Sequence, residues 1–261
     1  MPWHVPTVLY DLEFCNTLPT LKPTPAIMEV LYEDNHIIIV NKAPGEIVQG
    51  DKTGDTPLSE TIKAYLKEKY AKPGNVFCGV VHRLDRPVGG VVVFAKTSKA
   101  LARLNEMFRE GKVDKTYWAI TAGTPAEPSA TLTHYITTRQ QGNKSYASLK
   151  PVTDGKKAVL HYDLIARGDR YNLLEVKLET GRKHQIRVQL SSIGCPVKGD
   201  LKYGAKRSNP DGSISLMARR IRFTHPVSGN DIDVTAPVPD DNLWQALAAE
   251  VCDTAGKPAE Q

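Results

Sequence analysis

Residues 81–96 read Val81-His82-Arg83-Leu84-Asp85-Arg86-Pro87-Val88-Gly89-Gly90-Val91-Val92-Val93-Phe94-Ala95-Lys96. From Gly90 to Lys96 the run is apolar and rich in β-branched residues, which marks a strand buried on both faces. The part before it is polar. A His, two Arg and an Asp fall within five positions, and Pro87, Gly89 and Gly90 then shape the chain into the strand. Polar side chains on a loop that feeds a rigid strand are well placed for chemistry. An Asp between two arginines has its ionised form favoured by opposite charge. The same residues equally suit a surface ion pair of little energetic weight, and on their own they do not choose between the two.

Working outward, Glu29 to Lys42 carries an Asp34-Asn35 turn and the apolar run Ile37 to Val40, which reads as a hairpin and a buried strand. Thr56-Pro57 has the form of a helix start, with Leu58, Ile62, Tyr65 and Leu66 at helical spacing and Pro73-Gly74 as the stop. Ser98 is placed to cap a second helix with Leu101, Leu104 and Phe108 on one face and Gly111 at its end. Lys115 to Ala122, Val159 to Ala166, Tyr171 to Leu178, Ser215 to Thr224 and Asp231 to Ala236 read as strands, with Gly168-Asp169 turning the second into the third. Ile186, Leu190 and Ile193 mark a short helix ended by Gly194, and Leu243, Leu247 and Val251 a C-terminal one. Strands outnumber helices, and helices are interspersed among hairpins. The fold class is therefore α+β, with a mixed, largely antiparallel central sheet flanked by helices and loops. The reading assigns no element between residues 123 and 157.

Composition sets the outer bounds. Of 261 residues, 41% are hydrophobic and 24% charged, ordinary for a globular chain, and the formal net charge of +5 is compatible with an anionic partner without requiring one. Cys15, Cys78, Cys195 and Cys252 are scattered, with no C-x-x-C pair and no zinc-finger spacing, so reduced thiols in a cytoplasmic protein are expected, with no metal site. No apolar run reaches membrane-spanning length, and Met1-Pro2-Trp3-His4 does not open a signal peptide. Prolines 2, 6, 19, 23 and 25 make residues 1–26 an arm; a domain over 27–252 and a polar tail over 253–261 complete the division.

Further segments could carry chemistry. Leu178 to Arg187 sets Arg182, Lys183, His184 and Arg187 around a helix N-terminus, where free N–H groups and the dipole already favour an anion. A solvated basic helix end is the plain alternative. Lys112 to Ala119 places Tyr117 and Trp118 at a strand start; a ring facing a cleft there could stack on a nucleobase, and the ordinary expectation is one ring in the core and the other at the surface. Arg220 and Arg222 alternate onto one strand face and, with Lys202, Lys206 and Arg207, could track phosphates, although each suits a solvated surface just as well. No phosphate-binding glycine loop, dinucleotide turn, zincin motif or serine elbow is present, so no nucleotide cofactor is implied.

Together these segments resemble the RluA-type pseudouridine synthases. The resemblance rests on six motifs in order: Asn41-Lys42-Ala43-Pro44-Gly45 after a strand, His82-Arg83-Leu84-Asp85 before Gly89 to Lys96, Lys115-Thr116-Tyr117, Thr180-Gly181-Arg182-Lys183-His184-Gln185-Ile186-Arg187, Gly194 to Gly204, and Phe223-Thr224-His225-Pro226. Val88-Gly89 stand where the family has Thr or Ser, Gln189 and Met217 or Ala218 where it often has His, and Gln49 to Asp55 depart from its first motif. The arm is too short for the accessory RNA-binding domain of many relatives, so that domain is not expected.

The resemblance implies the pseudouridine synthase fold and an isomerase that breaks the N1–C1′ bond of a uridine in ribosomal or transfer RNA and rejoins the base through C5. It makes Asp85 the essential carboxylate, whether as nucleophile or as base, with Arg187 keeping it ionised and Tyr117 stacking on the uracil and assisting at C5. Arg83 would hold the RNA open around a flipped base. Lys42, Arg182, His184 and Ile186 complete the substrate-binding set. No cofactor is implied, and a monomer away from membranes is expected. The rival readings are an inert RNA-binding protein on the same scaffold, and an enzyme that releases the base to water; the latter chemistry ordinarily uses two carboxylates.

Overall fold

Asp34 makes the first turn by accepting the N–H groups of His36 and Ile37 at 2.7 and 2.8 Å. It joins β1 (Glu29–Glu33) to β2 (Ile37–Lys42) in an antiparallel hairpin. The computed structural model describes residues 28–139 and 143–255. The arm assigned to 1–26 lies outside them, as does the tail beyond residue 255; within the described part, the C-terminal helix runs on through the first residues given to the tail.

The described strands form one sheet of eleven. After the first hairpin come β3 (Gly79–Val80), β4 (Gly89–Ala95), β5 (Asp114–Ala122), β6 (Ser129–Arg139), β7 (Lys144–Ser148), β8 (Lys156–Arg167), β9 (Tyr171–Leu178), β10 (Leu216–Thr224) and β11 (Asp231–Thr235). Their order is β1-β2-β4-β10-β5-β9-β8-β6-β7, with β11 on β10 and β3 on β4. Only β4 and β10 run parallel, and they pair through Met217 with Gly89 and Ala218 with Gly90. The sheet is thus mixed and mostly antiparallel, as the sequence implies. β6 and β7 are additions to that reading; β6 pairs with β8, and β7 pairs with β6 at the far edge.

Helices α1 (Leu58–Lys69), α2 (Ser98–Arg109), α3 (Gln185–Ser192) and α4 (Asn242–Ala255) cover both faces. The first one starts one residue later than Thr56-Pro57 suggests: Pro57 is its N-cap and no side chain caps it. The N–H groups of Leu58 and Ser59 bond instead to the carbonyls of Ile47 and Val48, so the preceding loop supplies the cap. In α2 the capping oxygen belongs to Thr97, not Ser98, and accepts the N–H of Ala100 at 3.1 Å. β4 is fully buried because α1 packs on Val92 and Phe94 while α2 packs on Val91 and Val93. That two-sided cover is why its sequence reads as a continuous apolar run. On β5, Tyr117 joins the core under α3 and Trp118 the core under α2 and α4, so both rings are buried, on opposite faces. The surface position expected for one of them is taken up because helices line both sides of this strand.

Candidate active site

The join between β4 and β10 is the narrowest place in the sheet, and the polar turn before β4 sits beside it. Asp85 closes that turn, its carbonyl accepting the N–H of Val88 at 3.0 Å. Lys42 holds the turn from beneath. Its ammonium, 1% exposed, donates to the carbonyls of Ala43, Arg86 and Val88 at 2.9, 3.2 and 2.8 Å. Its donors reach backbone carbonyls, so Lys42, expected to bind substrate, here clamps the turn. Arg86 pins the other side through Asp55 at 2.6 Å and the Thr53 hydroxyl at 2.8 Å. His82, from the same polar stretch, faces the other way: its Nε2 accepts the N–H of Val93 at 3.0 Å and its ring stacks on Phe108. Burial pushes it down to about 3, so it remains neutral.

Arg187 reaches this turn from α3. Its Nη1 donates to Asp85 Oδ2 at 2.8 Å, while Nε and Nη2 form a fork on Asp200 at 2.6 and 2.9 Å. The guanidinium packs on the Tyr203 ring at 5.0 Å. Burial works against its charge, but Asp200 and Asp85 outweigh this and raise its pKa. The relief expected for the crowded cations at this helix start therefore comes from two carboxylates of the chain itself. Asp200 is 1% exposed with both oxygens engaged by Arg187, so it is a support for the guanidinium and not a second acid facing the pocket. Asp85 spends one oxygen on Arg187, and among the described residues no hydrogen bond claims Oδ1.

His184 enters α3 with left-handed backbone, φ 54°, a conformation that costs a non-glycine residue about 1–2 kcal/mol. In return its ring turns inward. Nδ1 lies 2.7 Å from the Tyr203 hydroxyl, and Nε2 lies 3.7 Å from Asp85 Oδ2. Tyr203 accepts the N–H of Ser145 at 2.8 Å. The direction of the bond between Tyr203 and Nδ1 follows the imidazole tautomer, and Nε2 faces Asp85 in either case. Burial, with Arg187, Lys202 and Lys183 adding to it, lowers His184 to about 4 against the pull of Asp85. The loop before it is locked by Gln185, whose side chain accepts from Thr180 and from the Arg182 N–H and donates to the Val159 carbonyl.

A pocket of about 120 Å³ opens over Asp85. Tyr117, Ile186, Leu216 and Val88 give it apolar walls, and Arg83 and Arg182 stand at its rim, both exposed. The Tyr117 phenol is raised well above its usual range by burial and by the Asp85 charge, so its O–H stays protonated at neutral pH. The pocket thus combines a flat aromatic wall, a neutral donor, an imidazole and a carboxylate held by a guanidinium. Sequence reading named most of these positions; Asp200 and Tyr203 lay inside a quoted motif, Gly194 to Gly204, but were given no role. The basic strand face does not join them. Arg220 and Arg222 pair with Asp233 and Asp114 respectively, and Arg219 lies over the Trp118 ring at 4.5 Å. Among the described residues no three His, Cys, Asp or Glu side chains cluster as metal ligands.

Comparison with known proteins places the chain in a family. A family model described as RNA pseudouridylate synthase matches residues 36–192. An uncharacterized RNA pseudouridine synthase of Synechocystis sp. is 34% identical over 232 residues, covering 85% of this chain and 70% of the relative. The ribosomal large subunit pseudouridine synthase D of Zymomonas mobilis is 33% identical, covering 84% of this chain and 70% of the relative. Among solved structures, human RNA pseudouridylate synthase domain containing 4 superposes with a TM-score of 0.69 at 23% identity, over 86% of this chain and 93% of that one, which is a likeness of fold.

Proposed function

The chain belongs to the RluA-type RNA pseudouridine synthases, isomerases of uridine in RNA, and on that premise we propose that Asp85 carries the reaction in the pocket it shares with Arg187 and Tyr117, with large-subunit ribosomal RNA as the substrate class. The observation that carries this reading is the 2.8 Å bond from Arg187 Nη1 to Asp85 Oδ2 between residues 102 positions apart. It sets the Asp85 carboxylate against a guanidinium at the floor of a pocket with an aromatic wall. The ribosomal assignment is supported by the names of relatives such as the Zymomonas mobilis protein.

In the reaction, the C1′–N1 bond breaks, C1′ joins C5, C5 gives up its proton and N1 gains one. No atom enters or leaves overall. A uridine turned out of its stack places uracil against Tyr117 and Ile186 and its ribose over Asp85 Oδ1, the oxygen left open. Whether that oxygen attacks carbon or takes a ribose proton, it must be ionised, and Arg187 serves both roles. Tyr117 acts as a stacking wall and a neutral O–H, because its surroundings oppose a phenolate. Arg83 at the rim holds the vacated RNA stack. His184 stands beside the same Asp85 oxygen that Arg187 holds, Nε2 lying 3.7 Å from Oδ2. A monomer is the proposed state, and the cytoplasm the proposed place of action.

Asp85→Asn tests the reading, with pseudouridine in ribosomal RNA as the product measured. Loss of product with unchanged unfolding temperature and RNA affinity is the expected result. Retained turnover overturns the role of Asp85, and free uracil as the product overturns the isomerase.

A further inference from the structure

Beyond the pocket lies a much larger open cleft of about 1130 Å³, and the two share Gly181 and Arg182 as common wall. Of its charged lining residues, Arg139, Lys156, Arg182 and Lys183 are cationic and Asp154 alone is acidic. Tyr146 on β7 stands among them, 41% exposed, with the Arg139 guanidinium 4.9 Å and the Lys144 ammonium 5.8 Å from its ring centroid. An exposed ring flanked by cations, at the wall of a cleft that adjoins the pocket, has the makeup of a stacking platform for a nucleobase with phosphates alongside.

The hairpin that carries Tyr146 is tied to the catalytic residues. On its inner side Ile136 and Ala147 pack against Val188 of α3 and against Tyr203. Ser145, next to Tyr146, donates its N–H to the Tyr203 hydroxyl and its own hydroxyl to the Lys183 carbonyl. Tyr203 in turn contacts His184 and Arg187. The cleft therefore keeps a fixed distance and orientation relative to Asp85.

We propose that this cleft is a second RNA subsite, in which Tyr146 stacks on an unpaired nucleotide flanking the target uridine and Lys156 and Arg139 contact the adjoining phosphates. The inference rests on the isomerase reading of the neighbouring pocket and extends it. It makes the enzyme a reader of single-strandedness beside the target, because a duplex keeps its bases from the ring. Arg139 already shares the Tyr146 ring, so the incoming base adds to an existing cation–aromatic stack.

Binding of uridine-rich oligonucleotides of about 16 and about 4 nucleotides, bracketing the reach of such platforms, tests it with Tyr146→Ala, Tyr146→Phe and Lys156→Ala. Tyr146→Ala is expected to weaken the long oligonucleotide about tenfold, to leave the short one unchanged, and to leave kcat at saturating ribosomal RNA unchanged. Tyr146→Phe keeps the ring and binds as wild type. Lys156→Ala lowers the slope of log affinity against log salt by about 0.7 for the long oligonucleotide. Unchanged unfolding temperatures confirm that the variants fold. Equal affinity of Tyr146→Ala and wild type for the long oligonucleotide overturns the proposal and leaves the patch to a protein partner; equal loss on both lengths also overturns it. Tyr146-dependent binding by a wild-type protein that isomerises no RNA keeps the subsite and sinks the isomerase reading instead.

Discussion

Arg187 serves two carboxylates in different surroundings, and the difference predicts how each fails. Asp200 is buried and takes the fork of Nε and Nη2; Asp85 is partly open and takes Nη1 alone. Removing the charge of Asp200 leaves a buried guanidinium short of its main partner, which costs about 3–5 kcal/mol in comparable cases. Asp200→Asn is therefore expected to destabilise the fold by several kcal/mol, read as a lower urea midpoint, while Asp85→Asn changes stability much less. With the guanidinium displaced by an ångström, kcat of Asp200→Asn should fall about 10²-fold with little change in KM. A fall in KM-weighted binding alone would show that Asp200 acts on RNA affinity instead. Tyr117 offers a second contrast. Tyr117→Phe retains the wall and should keep more activity than Tyr117→Ala, measured as pseudouridine formed per enzyme; equal losses would assign the effect to the hydroxyl. Asp85, Arg187 and Tyr117 could be picked out in the sequence because each sits in a dense, motif-like stretch. Asp200 and Tyr203 could not be given roles, since a lone acid in a glycine-rich loop acquires its meaning only when folding carries it onto Arg187. Lys42 is a related case: its position in the chain says nothing about three carbonyls converging on its ammonium.

The strands that show in the sequence are those covered on both faces or sharply bounded by turns. β4 reads as an apolar run because α1 and α2 sandwich it, and β9 is bounded by Arg170 and Glu179 as the alternation requires. β6 and β7 escape notice because they form the outer edge. β6 does alternate, with Ala130, Leu132 and Ile136 turned one way, but His134 and threonines dilute the signal, and β7 buries a serine, Ser145, where an apolar residue would be expected. The β4–β10 join is a different case, set by absence of side chain. At Gly90, φ is 108° and an added Cβ would fall 2.2 Å from the Ala218 carbonyl oxygen. No side chain fits between these backbones, and the positive φ strains any L residue. Gly90→Ala should thus cost several kcal/mol or leave the protein insoluble, with Gly74→Ala, which meets nothing within 4 Å, as the neutral control. Soluble Gly90→Ala with an unshifted unfolding midpoint would show that the two strands can part without loss.

Across the whole molecule the sheet behaves as two blocks, β1 to β4 and β5 to β11, meeting at two residue pairs between β4 and β10, with the pocket on that seam. Near these blocks stand two neutral histidines and one clustered carboxylate, and these give the fold a distinctive response to acid. Burial holds His82 down at about 3 and His184 at about 4, whereas both titrate near 6.5 in the unfolded chain. Between those values the unfolded chain binds more protons than the folded one, so stability falls as pH falls. Glu33 follows lower down. Burial works to raise it, but hydrogen bonds from Lys69, Lys96, Tyr70 and Tyr65 bring it to about 2, so the stability it lends is present above pH 4.5 and lost on the way to 2. Ordinary carboxylates begin to protonate only near pH 4–5, so a decline that starts at pH 6.5 belongs to the histidines. At about 1.4 kcal/mol per unit, and reduced for partial exposure, His82 accounts for about 1–2 kcal/mol between pH 6.5 and 5. Urea midpoints measured across that window should fall in the wild type and fall less in His82→Gln, whose amide oxygen can still accept the Val93 N–H but cannot titrate. Parallel curves for the two proteins would mean that His82 is already protonated in the fold, and with it that the stacking on Phe108 holds a charged ring.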